Sequence, residues 1–337
     1  MFIKNVIDDG FEESDFHKHM ILNRKACEDL SLVSDKTTAI IATYQSQIDC
    51  LMWAVFSLLL RSSGNLEHLI VCINGPDSRT GDTSVQDTKQ EFLEDLRSLK
   101  WNDRDMPITI ARVWSRIGHG EAIEMAIPWV HTKAYTLLHD DMIVTNPAWA
   151  EESMQLLENE EVAAVYNPPI LGSIVSTYNF QGAKKLNLPH INTPMVTCKK
   201  ALIKERWTGY HVNKEFNIKK DLSEKEFRRF YKGLLAKYPE KFDANFEYDC
   251  LSQDFGSWVF YQLKSERYKL IPKRMAEHLL SMSWHPQDAK LKAARPHIAS
   301  LEMELINYPE YWELYKKYKT YDLFTNSRKI NYEGTIA

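Results

Sequence analysis

With 337 residues, the chain is long enough to bury a sizeable core, as one large domain or a domain with an appendage. Its 42 Lys and Arg against 46 Asp and Glu leave a net charge of −4, which gives no global pull toward nucleic acid or a membrane surface. The longest apolar run, about residues 51–60, is too short to cross a bilayer, and residues 1–10 lack the basic start and apolar stretch of a secretory signal. The expected location is therefore cytoplasmic, at most peripheral to a membrane.

Cys27, Cys50, Cys72, Cys198 and Cys250 lie far apart, with no CxxC pair and an odd count. They read as core thiols of a reducing compartment rather than a zinc site or a disulfide frame. Residues 1–36 are polar and mixed, and are expected to form a helical lead-in.

Thr37 to Thr43 reads as a first buried strand, and Tyr44 to Gln47 as the loop after it. Ser46 with Asp49 three residues on has the form of a capping box, ahead of a buried helix through Leu51 to Leu60. Leu69 to Ile73 is a second strand, closed by the turn signal Asn74-Gly75-Pro76-Asp77. A helix over 86–99 carries Phe92, Leu93, Leu96 and Leu99 on one face. Ile108 to Val113 is a third strand, and Gly118-His119-Gly120 opens a further helix. Strands separated by helices predict an α/β fold with a mostly parallel sheet.

Ala134 to Leu138 is apolar on both faces, as a strand covered by helices on either side should be. It delivers His139, Asp140 and Asp141 to the carboxyl end of the sheet, where α/β crevices bind ligands. Acidic oxygens there suit a hard divalent ion and, through it, nucleotide phosphates. The plainer reading is a turn or a helix cap, since Asp is common at both. Val162 to Tyr166 is expected as a fifth strand, and Tyr268 to Ile271 as an edge strand before Pro272.

Residues 199–241 hold 13 Lys or Arg against 6 Asp or Glu, interleaved with Trp207, Tyr210, Phe227, Phe230 and Tyr231. They read as a solvated charged helix or as a basic lobe facing an anionic acceptor. Residues 286–337 form a polar, aromatic-rich, helical C-terminal extension.

Ala39 to Thr43 with its helix, the strand ending in Asn74-Gly75-Pro76-Asp77, Gly118-His119-Gly120-Glu121-Ala122 and Leu137-Leu138-His139-Asp140-Asp141 together resemble the nucleotide-sugar half of GT-A fold glycosyltransferases, family 2 in particular. The resemblance covers about residues 37–170 well and 245–285 loosely. It implies a catalytic domain over 37–285, with a donor half at 37–170 and an acceptor half at 171–285. It further implies a metal-dependent, inverting hexosyltransferase that uses a nucleotide sugar, with a UDP-sugar the expected donor. The acceptor stays open among a saccharide, a glycolipid, a protein and modified nucleic acid.

The family's DxD metal motif falls on His139-Asp140-Asp141, with Asp141 at the principal ligand position and His139 where Asp is usual. Mn²⁺ or Mg²⁺ is implied, imidazole favouring the former, and His139 has the alternative of touching the sugar or ribose. A further ligand is expected at His278 or His285. The general base is expected at Asp254, with Asp249 and Glu247 as substitutes and Gln253 where the family has an acid. Donor contacts are expected from Thr43, Tyr44, Asn74, Asp77, Asp140, Arg112 or Arg116, and the Gly118 and Gly120 turn.

Two other classes remain open. Nucleotidyl transfer uses similar acidic sites, but wants a Gly-rich, cationic loop after the first strand, and Thr43-Tyr44-Gln45-Ser46 has neither feature. The other is a noncatalytic binding module that has kept the fold and lost the metal, for which His139 in place of Asp speaks.

Overall fold

A computed structural model of the chain describes residues 34–44, 46–62, 64–75, 83–101, 104–105, 107–113, 119–168, 175–178, 185–188, 194–204, 207, 259, 262–263, 266–279, 288–322 and 327–328. The elements that frame the site begin with β1 (Ser34–Thr43), α1 (Ile48–Leu60), β2 (Leu66–Ile73), α2 (Ser84–Ser98) and β3 (Ile108–Arg112). Next come α3 (His119–Ala126), β4 (Thr132–His139), β5 (Met142–Val144), α4 (Trp149–Glu158) and β6 (Val162–Tyr166). After these follow β7 (Met195–Lys199), β8 (Lys269–Pro272), β9 (Ala276–His278), α5 (Asp288–Leu305) and α6 (Pro309–Tyr318).

A seven-stranded sheet runs in the order β8, β6, β7, β4, β1, β2, β3. β7 is antiparallel to both β4 and β6, whereas every other neighbouring pair is parallel. This is a mostly parallel, Rossmann-like α/β sheet. The alternation of side chains along a strand explains the unbroken apolar runs. Ala39 and Ile41 of β1 point to one face with Leu69, Val71 and Ile73 of β2, while Ile40 and Ala42 point to the other with Ile70 and Cys72. Helices α1, α2, α4, α5 and α6 cover the first face; α3, Trp207, Val259 and Leu263 cover the second.

The expected strands are present, with β1 beginning at Ser34 and pairing there with Thr132 of β4. The edge strand expected at Tyr268 to Ile271 is β8, which includes Pro272 and borders β6. Sequence periodicity missed β5, β7 and β9. β5 and β9 have three residues each, and only their pairing with each other defines them. Buried threonines cross-link the middle of the sheet. Thr136 Oγ1 lies 3.0 Å from Thr37 Oγ1 and 2.9 Å from Thr197 Oγ1, which satisfies three hydroxyls that water cannot reach.

Helix α1 is buried along nearly its whole length, from Ile48 to Leu59, because α5 and α6 close over the side away from the sheet. Phe56 meets Phe92, Tyr311 and Tyr315, and Trp53 Nε1 donates to Tyr315 Oη at 3.0 Å. Tyr315 Oη in turn donates to Glu302 at 2.8 Å. Arg61, at the end of α1, pairs with Glu304 of α5 at 2.8 Å and donates to the Val144 carbonyl.

The capping box expected at Ser46 and Asp49 does not form. Gln47 is the N-cap residue and makes no side-chain cap. Ser46 Oγ donates to Asp140, and the Asp49 carboxylate accepts the amide and hydroxyl of Thr320. A buried carboxylate in need of donors outweighs one local cap.

Cys50, Cys72 and Cys198 are free, buried thiols. Burial pushes Cys72 up to about 12 and holds Cys50 well above the usual thiol range. Among the described residues no helix is long and apolar enough to cross a membrane.

Replacing Tyr315 by Phe keeps the packed ring and strips Trp53 and Glu302 of a shared partner. The expected loss is about 1–3 kcal/mol in urea denaturation. An unchanged midpoint would mean that packing alone docks α5 and α6 on α1.

Candidate metal centre

β4 ends at His139, and the two-residue turn Asp140-Asp141 leads into β5. β9 returns antiparallel to β5 with His278 opposite Met142, and Leu279 N donates to the Asp141 carbonyl at 2.8 Å. Asn167, just beyond β6, fixes this return. Its Oδ1 accepts the amides of Met275 and Ala276 at 2.7 and 3.0 Å, while the Met275 carbonyl accepts Thr145 and Asn146. Backbone pairing, fixed by the Asn167 side chain, therefore carries His278 across about 140 residues of chain to the turn after β4.

As a result His139, Asp141 and His278 each present one ligand atom, all within 4.8 Å of one another. His278 Nε2 is 3.2 Å from Asp141 Oδ1. Asp141 is buried, whereas the His278 side chain keeps 26% of its surface in solvent, so the group opens outward on that side. Burial lowers the His139 pKa to about 4 against the opposing pull of Asp141, with His278 adding to the drop. The ring is therefore neutral and keeps the lone pair a ligand needs. His139 Nε2 is also buried with no hydrogen-bond partner, which is costly unless something accepts that lone pair. Two imidazoles and one carboxylate, with an unsatisfied buried nitrogen among them, fit a divalent cation. The His119 ring, from the first turn of α3, sits edge-on to His139 with centroids 4.9 Å apart.

Behind this trio the polar groups turn inward. Thr43 Oγ1 donates to Asp140 Oδ2 at 2.5 Å, and Ser46 Oγ donates to the same oxygen. The fully buried Lys89 reaches Thr43 Oγ1 at 2.7 Å, the Tyr44 carbonyl at 2.7 Å and Ser46 Oγ at 2.9 Å. Burial lowers Lys89 to about 8, an effect that Asp140 and Cys50 oppose. Burial likewise raises Asp140, against the cation and the two hydroxyls that favour its charged form.

Thr43 and Asp140 were expected to face a nucleotide; the structure gives both of them internal partners, because a buried carboxylate takes the nearest donors. Sequence reading missed Lys89, although its signal was present. It stands three and four residues before Phe92 and Leu93, on the apolar stripe of α2, where Gln86, Phe92, Leu93 and Leu96 are also buried.

Asn74 is buried, its amide bonded to the Thr43 carbonyl and its Oδ1 to Gly75 N at 2.9 Å. Arg112 is drawn to α2 by Asp87 at 2.5 Å and Gln90 at 2.8 Å. Gly120 is buried in the first turn of α3. Asp77, Gly118, Asp254 and His285, with Arg116, Glu247, Asp249 and nearly all of 205–241, lie outside the described residues.

No protein-family model matches the sequence, and no curated protein matches it either. Among solved structures, the chain is similar to the mannosyltransferase PcManGT from Pyrobaculum calidifontis in complex with GDP-Man and Mn²⁺, at 12% identity and a TM-score of 0.41, over 89% of this chain and 76% of that one. It is also similar to the glycosyltransferase GlyE of Streptococcus pneumoniae, at 14% identity and a TM-score of 0.35, over 80% of this chain and 50% of that one. A third likeness is to residues 1–349 of S. aureus TarS, at 10% identity and a TM-score of 0.36, over 84% of this chain and 72% of that one. These are weak likenesses to several glycosyltransferases, and they do not single out family 2.

If the trio binds Mn²⁺, a concentration of about 100 times its Kd adds about 2.7 kcal/mol to the stability of the folded chain. Thermal unfolding with and without Mn²⁺ should show the upward shift in the wild type. Asp141→Ala should lack it while melting, metal-free, within a few degrees of the wild type. An equal shift in both proteins would place the ion elsewhere.

Proposed function

We propose that this protein is a metal-dependent, inverting glycosyltransferase that moves a sugar from a nucleotide-sugar donor, a UDP-sugar first among them, to an acceptor hydroxyl. The observation that carries the reading is the meeting of His139, Asp141 and His278 at the carboxyl end of an α/β sheet. In this reading the three side chains hold a divalent ion, and Mn²⁺ suits two imidazoles better than Mg²⁺ does. When bound, the ion supplies charge stabilisation to the departing nucleoside diphosphate.

The protein's own groups do the rest. Asp141 anchors the ion with a carboxylate already held beside His278, and His139 adds a neutral imidazole from the end of β4. Asp254 is the proposed general base, taking the proton of the acceptor hydroxyl as its oxygen attacks the anomeric carbon and the bond to the diphosphate breaks. Tyr44, Asn74, Asp77, Gly118 and Gly120 are the proposed donor contacts, residues 37–170 the donor half, and 171–285 the acceptor half. In the same reading the basic stretch 199–241 faces an anionic acceptor and the enzyme works in the cytoplasm.

Calorimetric titration with UDP-, GDP-, CMP- and ADP-linked sugars, each in Mn²⁺, Mg²⁺ or EDTA, tests the donor half. The expected result is binding of a UDP-sugar that needs the metal, is stronger in Mn²⁺ and disappears in Asp141→Ala. Failure of every nucleotide sugar under every metal condition would refute the reading and leave a binding module on the same fold.

The base is tested separately. Asp254→Asn should lower transfer by at least about 100-fold, the lower end of what a general base contributes, with donor affinity unchanged. Transfer at the wild-type rate would move the base to another residue.

A further inference from the structure

Lys89 takes no part in the proposed transfer, yet it is one of the largest fully buried side chains of the fold. An ammonium has three protons, and here they go to Thr43 Oγ1, Ser46 Oγ and the Tyr44 carbonyl. Each hydroxyl has a single proton, and both hydroxyls lie against Asp140 Oδ2. The direction of every bond follows: Lys89 donates into the hydroxyl oxygens, and the hydroxyls donate into the carboxylate. Bonds aligned in this way polarise and strengthen one another.

Asp140 stands between two members of the trio. Asp140 lies in the two-residue turn after β4, so a carboxylate held inside the fold at 140 pins the turn that carries His139 on one side and Asp141 on the other. His278 waits on that side, 3.2 Å from Asp141. The Tyr44 carbonyl bond also ties the loop after β1 to the same ammonium, so one side chain on α2 joins the ends of β1 and β4.

We propose that Lys89 is a positioning residue of the metal centre: through Thr43 and Ser46 it locks Asp140 inside the fold, and so holds the turn from which His139 and Asp141 face His278. The inference rests on the metal-centre reading above. It gives Lys89 no contact with ion, donor or acceptor.

The test is Mn²⁺ affinity, measured by calorimetry and by the electron paramagnetic resonance of free Mn²⁺, on protein that circular dichroism shows to be folded. Charge alone predicts that Lys89→Met binds Mn²⁺ more tightly, because a nearby cation is gone. The positioning role has the opposite sign: affinity falls about 10–100-fold, the usual cost of losing a group that orients a metal ligand. Thr43→Val removes one hydroxyl and keeps both charges, and it should weaken Mn²⁺ binding in the same direction. That variant carries the test where Lys89→Met does not fold. Affinity that is unchanged or tighter, in Lys89→Met or in Thr43→Val standing in for it, would overturn the role of Lys89 alone. A wild-type protein that binds no Mn²⁺ would overturn the metal centre and this role together.

Discussion

The fold buries a lysine and an aspartate, Lys89 and Asp140, within one hydrogen-bonded group. Taking either charge out of water costs several kcal/mol, and their attraction offsets this only if the remaining protons and lone pairs are also matched. In this chain the match runs through two hydroxyls, Thr43 and Ser46, set between the Lys89 ammonium and the Asp140 carboxylate. Three separate stretches of chain meet there: the end of β1, the inner face of α2 and the turn after β4. The geometry in front of Asp140 therefore depends on the group behind it.

The second dependence is on coverage. A mostly parallel sheet has two apolar faces, and both must be sealed. α3 and Trp207 help to seal one, with Trp207 Nε1 donating to Tyr135 Oη at 2.7 Å. The other is sealed by α1 in a first layer and by α5 and α6 in a second. α1 is consequently an interior helix, and its aromatic contacts with Tyr311 and Tyr315 make the C-terminal helices part of the main core. Thr320 then meets Asp49 in the first turn of α1.

Local pattern was enough to locate most of the framework. Apolar runs identify β1, β2, β4 and β6, whose long buried stretches leave little choice of composition, and shorter ones identify the partly exposed edge strands β3 and β8. The stripe of Phe92, Leu93 and Leu96 locates α2. Patterns failed where an element exists only through its partner, as with the three-residue strands β5 and β9. They also failed where one residue had two competing uses. Ser46 has the spacing of a cap, but its Oγ donates to Asp140 and accepts from Lys89, and the N-cap position falls on Gln47. Lys89 shares the apolar stripe of α2, but its buried acceptors come from the end of β1 and the loop after it, which the helix pattern does not record.

The sequence by itself determined the α/β class, the order of the main strands, and the presence of His139 and Asp141 at the carboxyl end of β4. These follow from hydrophobic periodicity and from where a strand must end, which are properties of neighbouring residues. The tertiary structure alone brings His278 up to them and shows which polar residues stay hidden. His278 is brought in by the pairing of β9 with β5, and Thr43 and Asp140 are turned inward by Lys89. Both outcomes depend on hydrogen bonds between groups about 40 to 140 residues apart, and no local pattern records such bonds.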